Sequence, residues 1–171
     1  NLINQMMDLR KIDKGQMVMH MSETDMVAFI GDEYKLFCQQ AIAKSIQFTF
    51  EHEDEALPVW IDRDNFDKVL MNVLSNAFKF TPAGGRIRIT LSHSPHHVRI
   101  AIKDSGKGIQ EEKLETIFQR FYQSTTTSND RNVGTGIGLD MTRSLVELHY
   151  GTITAANNKT IDEAEWKEGS Q

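Results

Sequence analysis

The stretch NVLSNAFKFT (residues 72–81) sets two asparagines and a lysine on the most regular helical pattern in the chain. Phe66, Val69, Leu70, Val73, Leu74, Ala77 and Phe78 recur at spacings of three and four, which predicts an amphipathic helix. Asp62 or Asp64 supplies its cap, and TPAGG at 81–85 stops it. Asn72 and Asn76 lie four apart and project from one face, and Lys79, three further on, joins them. An exposed polar stripe is one reading of that face. A binding site is the other: amide oxygens suit a hard cation such as Mg2+, and the ammonium suits a phosphate.

Downstream, RIRITLSHSPHHVRIAIKD (86–104) reads as an antiparallel hairpin turning at 94–96, with Ile87, Ile89 and Leu91 facing the same way as Val98, Ile100 and Ile102. DSGKGI (104–109) follows it. Gly106 and Gly108 permit positive φ and let a ligand approach the backbone without meeting a Cβ. Asp104, ending an apolar strand, can accept a hydrogen bond from an amino group such as the exocyclic amine of adenine, or can close the strand in an Asx turn. Residues 110–117 predict a short helix, and the polar, aperiodic QSTTTSNDR (123–131) a loop. In GTGIGL (134–139), Gly134, Gly136 and Gly138 come immediately before a helix expected over 137–148. Backbone N–H groups and the helix dipole cradle phosphates in such a place, and a flexible glycine linker is the plainer alternative. The Gly-x-Gly-x-Gly spacing matches neither the Rossmann nor the Walker A fingerprint. Residues 151–155 read as extended.

Upstream, Leu2, Ile3, Met6, Leu9 and Ile12 mark a short helix with nothing nearby to cover it, ended by Lys14 and Gly15. Met17, Met19 and Met21 alternate as a strand does, and Ser22, Thr24 and Asp25 are capping residues before a helix reaching about Lys44. Ile46, Phe48 and Phe50 mark a second strand, and Val59 to Ile61, after Pro58, a third. Irregular alternation with one hairpin predicts an α+β fold, helices packed on one face of a mixed sheet. The 171 residues, 39% hydrophobic, suffice for one domain plus an appendage. A net charge of -5 provides no global positive field for nucleic acid or an anionic membrane. Cys38 is the only cysteine, which excludes an intrachain disulfide and a multi-cysteine zinc site and fits a reducing compartment. No stretch approaches the roughly 20 apolar residues of a membrane helix, and no signal peptide opens the chain. Running from Asn1 to a polar tail at Gln171, the chain reads as an excised piece.

In order and spacing these segments resemble the ATP-binding catalytic domain of sensor histidine kinases of two-component systems, in the GHKL ATPase superfamily. NVLSNAFKFT resembles the N box, DSGKGI the first glycine box, IFQRFYQ (117–123) the F box and GTGIGL the second glycine box. The resemblance implies a two-layer α/β sandwich. Residues 1–15 would be the end of a dimerisation helix and its linker, and 16–171 the ATP-binding domain, lacking its last strand, with EGS (168–170) as the turn before it.

Residue by residue, the resemblance makes Asp104 the adenine acceptor, Asn76 the Mg2+ ligand with Asn72 beside it, and Lys79 a phosphate contact. Phe80 or Ile109 would line the base pocket, and Gly106, Gly108, Gly134, Thr135, Gly136, Gly138 and Leu139 would border the nucleotide. Residues 123–133 would be a lid over ATP, anchored by Phe118 and Phe121, with Arg120 and Arg131 as further phosphate contacts. Relatives of the gyrase, Hsp90 and MutL type carry a glutamate where Asn72 stands. Asparagine there implies slow hydrolysis and favours transfer to a protein acceptor.

The implied reaction is transfer of the γ-phosphate of Mg-ATP to a histidine on a dimerisation domain, then to a response-regulator receiver domain. HEDEALP (52–58) imitates the acceptor motif, but its proline falls one residue late and it lies between two expected strands. The acceptor is therefore expected outside this chain. The expected piece is a mostly monomeric cytoplasmic domain without direct membrane contact. Its parent would be a homodimer anchored in the inner membrane. A GHKL-type ATPase and a non-catalytic interaction module are the rival readings.

Overall fold

The computed structural model of the chain describes residues 2–122 and 135–157. In chain order these form α1 (Leu2–Asp13), β1 (Met21–Asp25), α2 (Met26–Ala43), β2 (Gln47–His52), β3 (Pro58–Asp62), α3 (Arg63–Phe80), β4 (Arg86–His93) and β5 (Val98–Asp104). Two 3-10 turns (Glu111–Lys113 and Thr116–Phe118) and α4 (Gly138–Leu148) complete the set. β4 pairs in parallel with β2 and antiparallel with β5, while β1 and β3 form a separate antiparallel ribbon. Parallel neighbours need a crossover, and β3 with α3 supplies it.

Alternation puts Phe48, Ile87, Ile89 and Leu91 on one face of the three-stranded sheet, buried against Phe37, Leu70, Leu74 and Phe78 of α2 and α3. Phe78 stacks on Phe37 at 5.2 Å and meets Phe48 edge-on at 5.1 Å. The hairpin has the expected facing: Ile89 lies opposite Ile102, Leu91 opposite Ile100 and His93 opposite Val98. The same register sets Asp104 opposite the fully buried Ile87. Residues directly opposite share a face, so Asp104 leaves the sheet on its helix-covered side.

A second cluster joins Leu9 of α1, Val69 of α3, and Ile137, Met141 and Leu145 at α4. α3 therefore serves both clusters. Contrary to expectation, α1 is covered: Leu9 is 4% exposed, although Leu2, Ile3, Met6 and Met7 remain open to solvent. Lys68 reinforces the contact through an ion pair with Asp8 at 2.8 Å.

Local chemistry accounts for most boundaries. Asp25 caps α2, accepting from Val27 N–H at 3.0 Å and also from Leu57 N–H at 2.9 Å, whereas Ser22 and Thr24 belong to β1. Asp62, not Asp64, caps α3, accepting from Asn65 N–H at 3.0 Å. The strand expected at Met17–Met21 is instead β1, which begins at Met21 and buries only Thr24 fully. Its pairing with β3, Ser22 opposite Ile61 and Thr24 opposite Val59, holds it where apolar alternation gives no signal. The helix expected over 110–117 is the pair of 3-10 turns, and among the described residues 151–157 make no strand. EGS (168–170) lies outside the described residues.

Glu33 of α2 is only 6% exposed, and its Oε2 has no hydrogen-bond partner among the described residues. Burial, then a hydrogen bond with Asp67 and the charges of Asp67 and Asp32, push its carboxyl up to about 7. The folded state thus holds a proton that the unfolded chain releases near 4.5, so this contribution is full below that pH and is lost as pH rises through about 7. Glu33→Gln is expected to raise stability at pH 8 by about 1–2 kcal/mol, with the gain shrinking towards pH 5, as read by urea unfolding at both pH values.

Candidate functional site

α3 and α4 run antiparallel, and two polar contacts define their alignment. Midway, Asn72 Nδ2 donates to Thr142 Oγ1 at 2.7 Å. At the far end, Asp62 N–H donates to His149 Nε2 at 3.1 Å. His149 Nδ1 lies 2.7 Å from the Leu145 carbonyl, which can only accept, so Nδ1 carries the proton and Nε2 is left to receive the Asp62 N–H. Burial pushes the Asp62 carboxyl up, but N–H donors from His20 and Asn65 outweigh it and leave the group below its ordinary value. With this alignment, the end of α3 that carries Asn76 and Lys79 runs towards the glycine-flanked start of α4. The helices come close at Gly138, where a Cβ would fall on the Asn72 amide oxygen.

The DSGKGI turn closes on the same end of α3. Gly106 N–H donates to Asp104 Oδ1 at 2.8 Å, and a Cβ on Gly106 would stand 2.8 Å from the Phe80 carbonyl oxygen. Only a glycine allows that approach. Gly108 has φ +73°, the left-handed region that favours glycine. Beyond it Asn157 takes both backbone groups of Ile109, accepting from N–H at 2.8 Å and donating to the carbonyl. Phe80 is 44% exposed, with Lys79 Nζ 5.3 Å and Lys107 Nζ 5.8 Å from its ring centre. Asn72, Asn76 and Lys79 are all half-buried.

The F-box segment joins the glycine loop through backbone. Phe118 is buried, whereas Phe121 is 65% exposed at φ +62° and donates its N–H to the Gly136 carbonyl at 2.9 Å. Gly136, φ +70°, lies against the Phe121 and Tyr122 backbone, where a Cβ would stand 2.8 Å from a carbonyl carbon. Arg120 binds carboxylates: Nη1 and Nη2 reach Asp13 at 2.8 and 2.9 Å, and Nε reaches Asp140 at 2.8 Å. That hydrogen bonding holds the Asp13 carboxyl below its usual range and the guanidinium above its own. Thr135 is exposed and Leu139 half-buried beside this junction, while Arg131, Gly134 and the expected lid at 123–133 lie outside the described residues.

Thus the first glycine box closes on the end of α3, while the start of α4, joined to the F box, lies against the middle of α3 at Asn72. The set comprises neutral amide oxygens, the ammonium groups of Lys79 and Lys107, the Asp104 carboxylate, the Arg120 guanidinium paired with Asp13 and Asp140, and open glycine backbone. Such a set fits a ligand that has phosphates at one end and an amino-bearing base at the other. Thr142, His149, Asn157, Asp13 and Asp140 were not anticipated at the site, because each acts through a partner distant in sequence. Lys107 stood in plain view inside the quoted motif.

Residues 61–170 match the family model described as histidine kinase-, DNA gyrase B-, and HSP90-like ATPase. The chain is 36% identical over 155 residues to histidine kinase P4 of Formosa agariphila, covering 89% of this chain and 11% of that protein, so it spans about a tenth of the relative's length. It is similar to the catalytic domain of histidine kinase ThkA at a TM-score of 0.68 and 34% identity, over 77% of this chain and 84% of that one. It is also similar to ThkA solved in complex with the response regulator TrrA, at a TM-score of 0.72 and 27% identity, over 92% of this chain and 45% of that one.

Gly106→Ala drives a methyl into the Asp104 carboxylate, which can rotate away, and into the Phe80 carbonyl, which cannot yield without moving the end of α3. A loss of about 1–3 kcal/mol in stability is expected by thermal unfolding, with the hairpin and α3 showing the largest amide shift changes.

Proposed function

Because the chain belongs to the histidine kinase-, DNA gyrase B- and HSP90-like ATPase family and is a histidine kinase ATPase catalytic domain, we propose that it binds Mg-ATP and donates the γ-phosphate to a histidine of a dimerisation domain, for relay to a response-regulator receiver domain. The observation that carries the reading is that α3 brings two glycine segments to one helix: the start of α4 lies against Asn72, and the DSGKGI turn with Asp104 closes on Phe80, with Asn76 and Lys79 between. In this proposal Asp104 accepts the adenine amine, its carboxylate aimed by Gly106 N–H, and Phe80 and Ile109 border the base. Lys79 contacts phosphate, and the segment entering α4 wraps the phosphate chain with backbone N–H groups.

The oxygens of Asn76 and Asn72 are hard, neutral ligands and fit Mg2+, whose charge the phosphates balance. When bound, the ion neutralises charge developing on the phosphates. The protein's own contribution is to hold the nucleotide and exclude stray water. Asn72 offers no carboxylate at this place, which disfavours water activation and supports kinase over ATPase. Arg120 spends three of its five N–H groups on Asp13 and Asp140, which leaves one on each terminal nitrogen for a phosphate.

We place residues 1–15 as the end of a dimerisation helix in a homodimeric parent, with catalysis on the cytoplasmic side of a membrane-anchored protein. Among the described residues, no helix is long and apolar enough to cross a membrane.

Calorimetric titration of a non-hydrolysable ATP analogue with Mg2+ into the chain tests the reading. Binding is expected, and Asp104→Asn should weaken it at least about tenfold, or roughly 1.4 kcal/mol. No binding by the folded parent would overturn the proposal, and steady phosphate release from ATP would favour the ATPase alternative.

A further inference from the structure

Thr142 is fully buried, and both uses of its hydroxyl are committed. Its proton goes to the Gly138 carbonyl at 2.8 Å, one turn back in α4. A carbonyl can only accept, so Thr142 Oγ1 has only lone pairs left for Asn72, 2.7 Å away. Asn72 must therefore present its NH2 to Thr142, and its carbonyl oxygen turns towards Gly138. The glycine completes the arrangement, since any Cβ there would occupy the oxygen's place.

We propose that Thr142 is a positioning residue that orients the Asn72 side chain, keeping an oxygen rather than an NH2 towards the start of α4, where a cation-bearing phosphate chain would lie. The inference rests on the Mg-ATP reading above and adds to it a buried residue that never touches the nucleotide. A reversed amide would present hydrogens to a cation and weaken its binding. Groups that hydrogen-bond an ion's ligand from behind orient it in this way. Thr142→Val keeps the shape but removes the acceptor, whereas Thr142→Ser keeps the hydroxyl.

The test measures affinity for a non-hydrolysable ATP analogue with Mg2+ and with a chelator, in the parent, Thr142→Val and Thr142→Ser, beside thermal unfolding of each. In Thr142→Val the Mg2+-dependent gain in affinity should fall about tenfold while affinity in chelator stays within about twofold, and Thr142→Ser should restore the gain. An unchanged Mg2+ gain in Thr142→Val overturns the proposal, as does equal loss with and without Mg2+. A parent that binds no nucleotide defeats the Mg-ATP reading and this proposal together, a result distinct from a defect confined to Thr142→Val. NMR of the parent needs no variant to fold: slow exchange of the Asn72 side-chain NH2 is expected, and exchange at the rate of a solvated amide overturns the assignment.

Discussion

Everything at the site hangs on how closely α3 and α4 approach. The contact is made where Gly138 offers no side chain and Asn72 fills the vacated space with an amide. Apolar packing of Val69, Met141 and Leu145 supplies the adhesion, but adhesion alone does not choose a register. Register comes from directional contacts: Asn72 with Thr142 in the middle, and His149 with the cap of α3 at the end. A shift of α4 by one turn would break both and leave buried polar groups unpaired. The position of the glycine segment relative to Asn76 and Lys79 follows from that choice.

α3 is the common wall of two unlike neighbourhoods. Leu70, Leu74 and Phe78 face the sheet and α2, while Val69 faces α1 and α4. Asn72 lies on the α4-facing side, against Gly138 and Thr142, and Asn76, one turn on, is likewise half-buried. The site is thereby built on a helix fixed from two directions, with the DSGKGI turn pressed against its last residue. Rigid support of this kind suits groups that must meet a ligand within a narrow range of geometry.

Much of this could be read from the chain itself. The three-and-four spacing around Val69 and Leu74 marks α3, and the alternation of Ile87, Ile89, Ile100 and Ile102 marks the hairpin and its facing. Those signals are local, because burial of one face writes itself into periodicity. β1 escaped because its residues are mostly exposed and only its pairing with β3 makes it a strand. The covering of α1 escaped because Leu9 meets partners some sixty and more residues away, and Asn157 likewise reaches across the chain to Ile109. Side-chain to backbone contacts of that range leave no spacing to recognise. The GTGIGL and DSGKGI segments were identifiable as special, yet which atoms they approach, Asn72 and the Phe80 carbonyl, is visible only in three dimensions.

The facing of Asp104 has a bearing on which insertions the family could tolerate. Its side of the sheet is decided by parity along β5, counted from Ile100 and Ile102, not by any contact of its own with the hairpin's far end. Residues added at the tip, between His93 and Val98, leave that parity untouched, so the tip is free to lengthen or shorten over evolutionary time. A single residue gained or lost between Ile102 and Asp104 would swing the carboxylate to the polar face, and with it would go the oxygen that receives the Gly106 N–H. One codon deletion there thus costs the ligand-facing carboxylate and the turn it holds, whereas the same deletion at the hairpin tip costs neither.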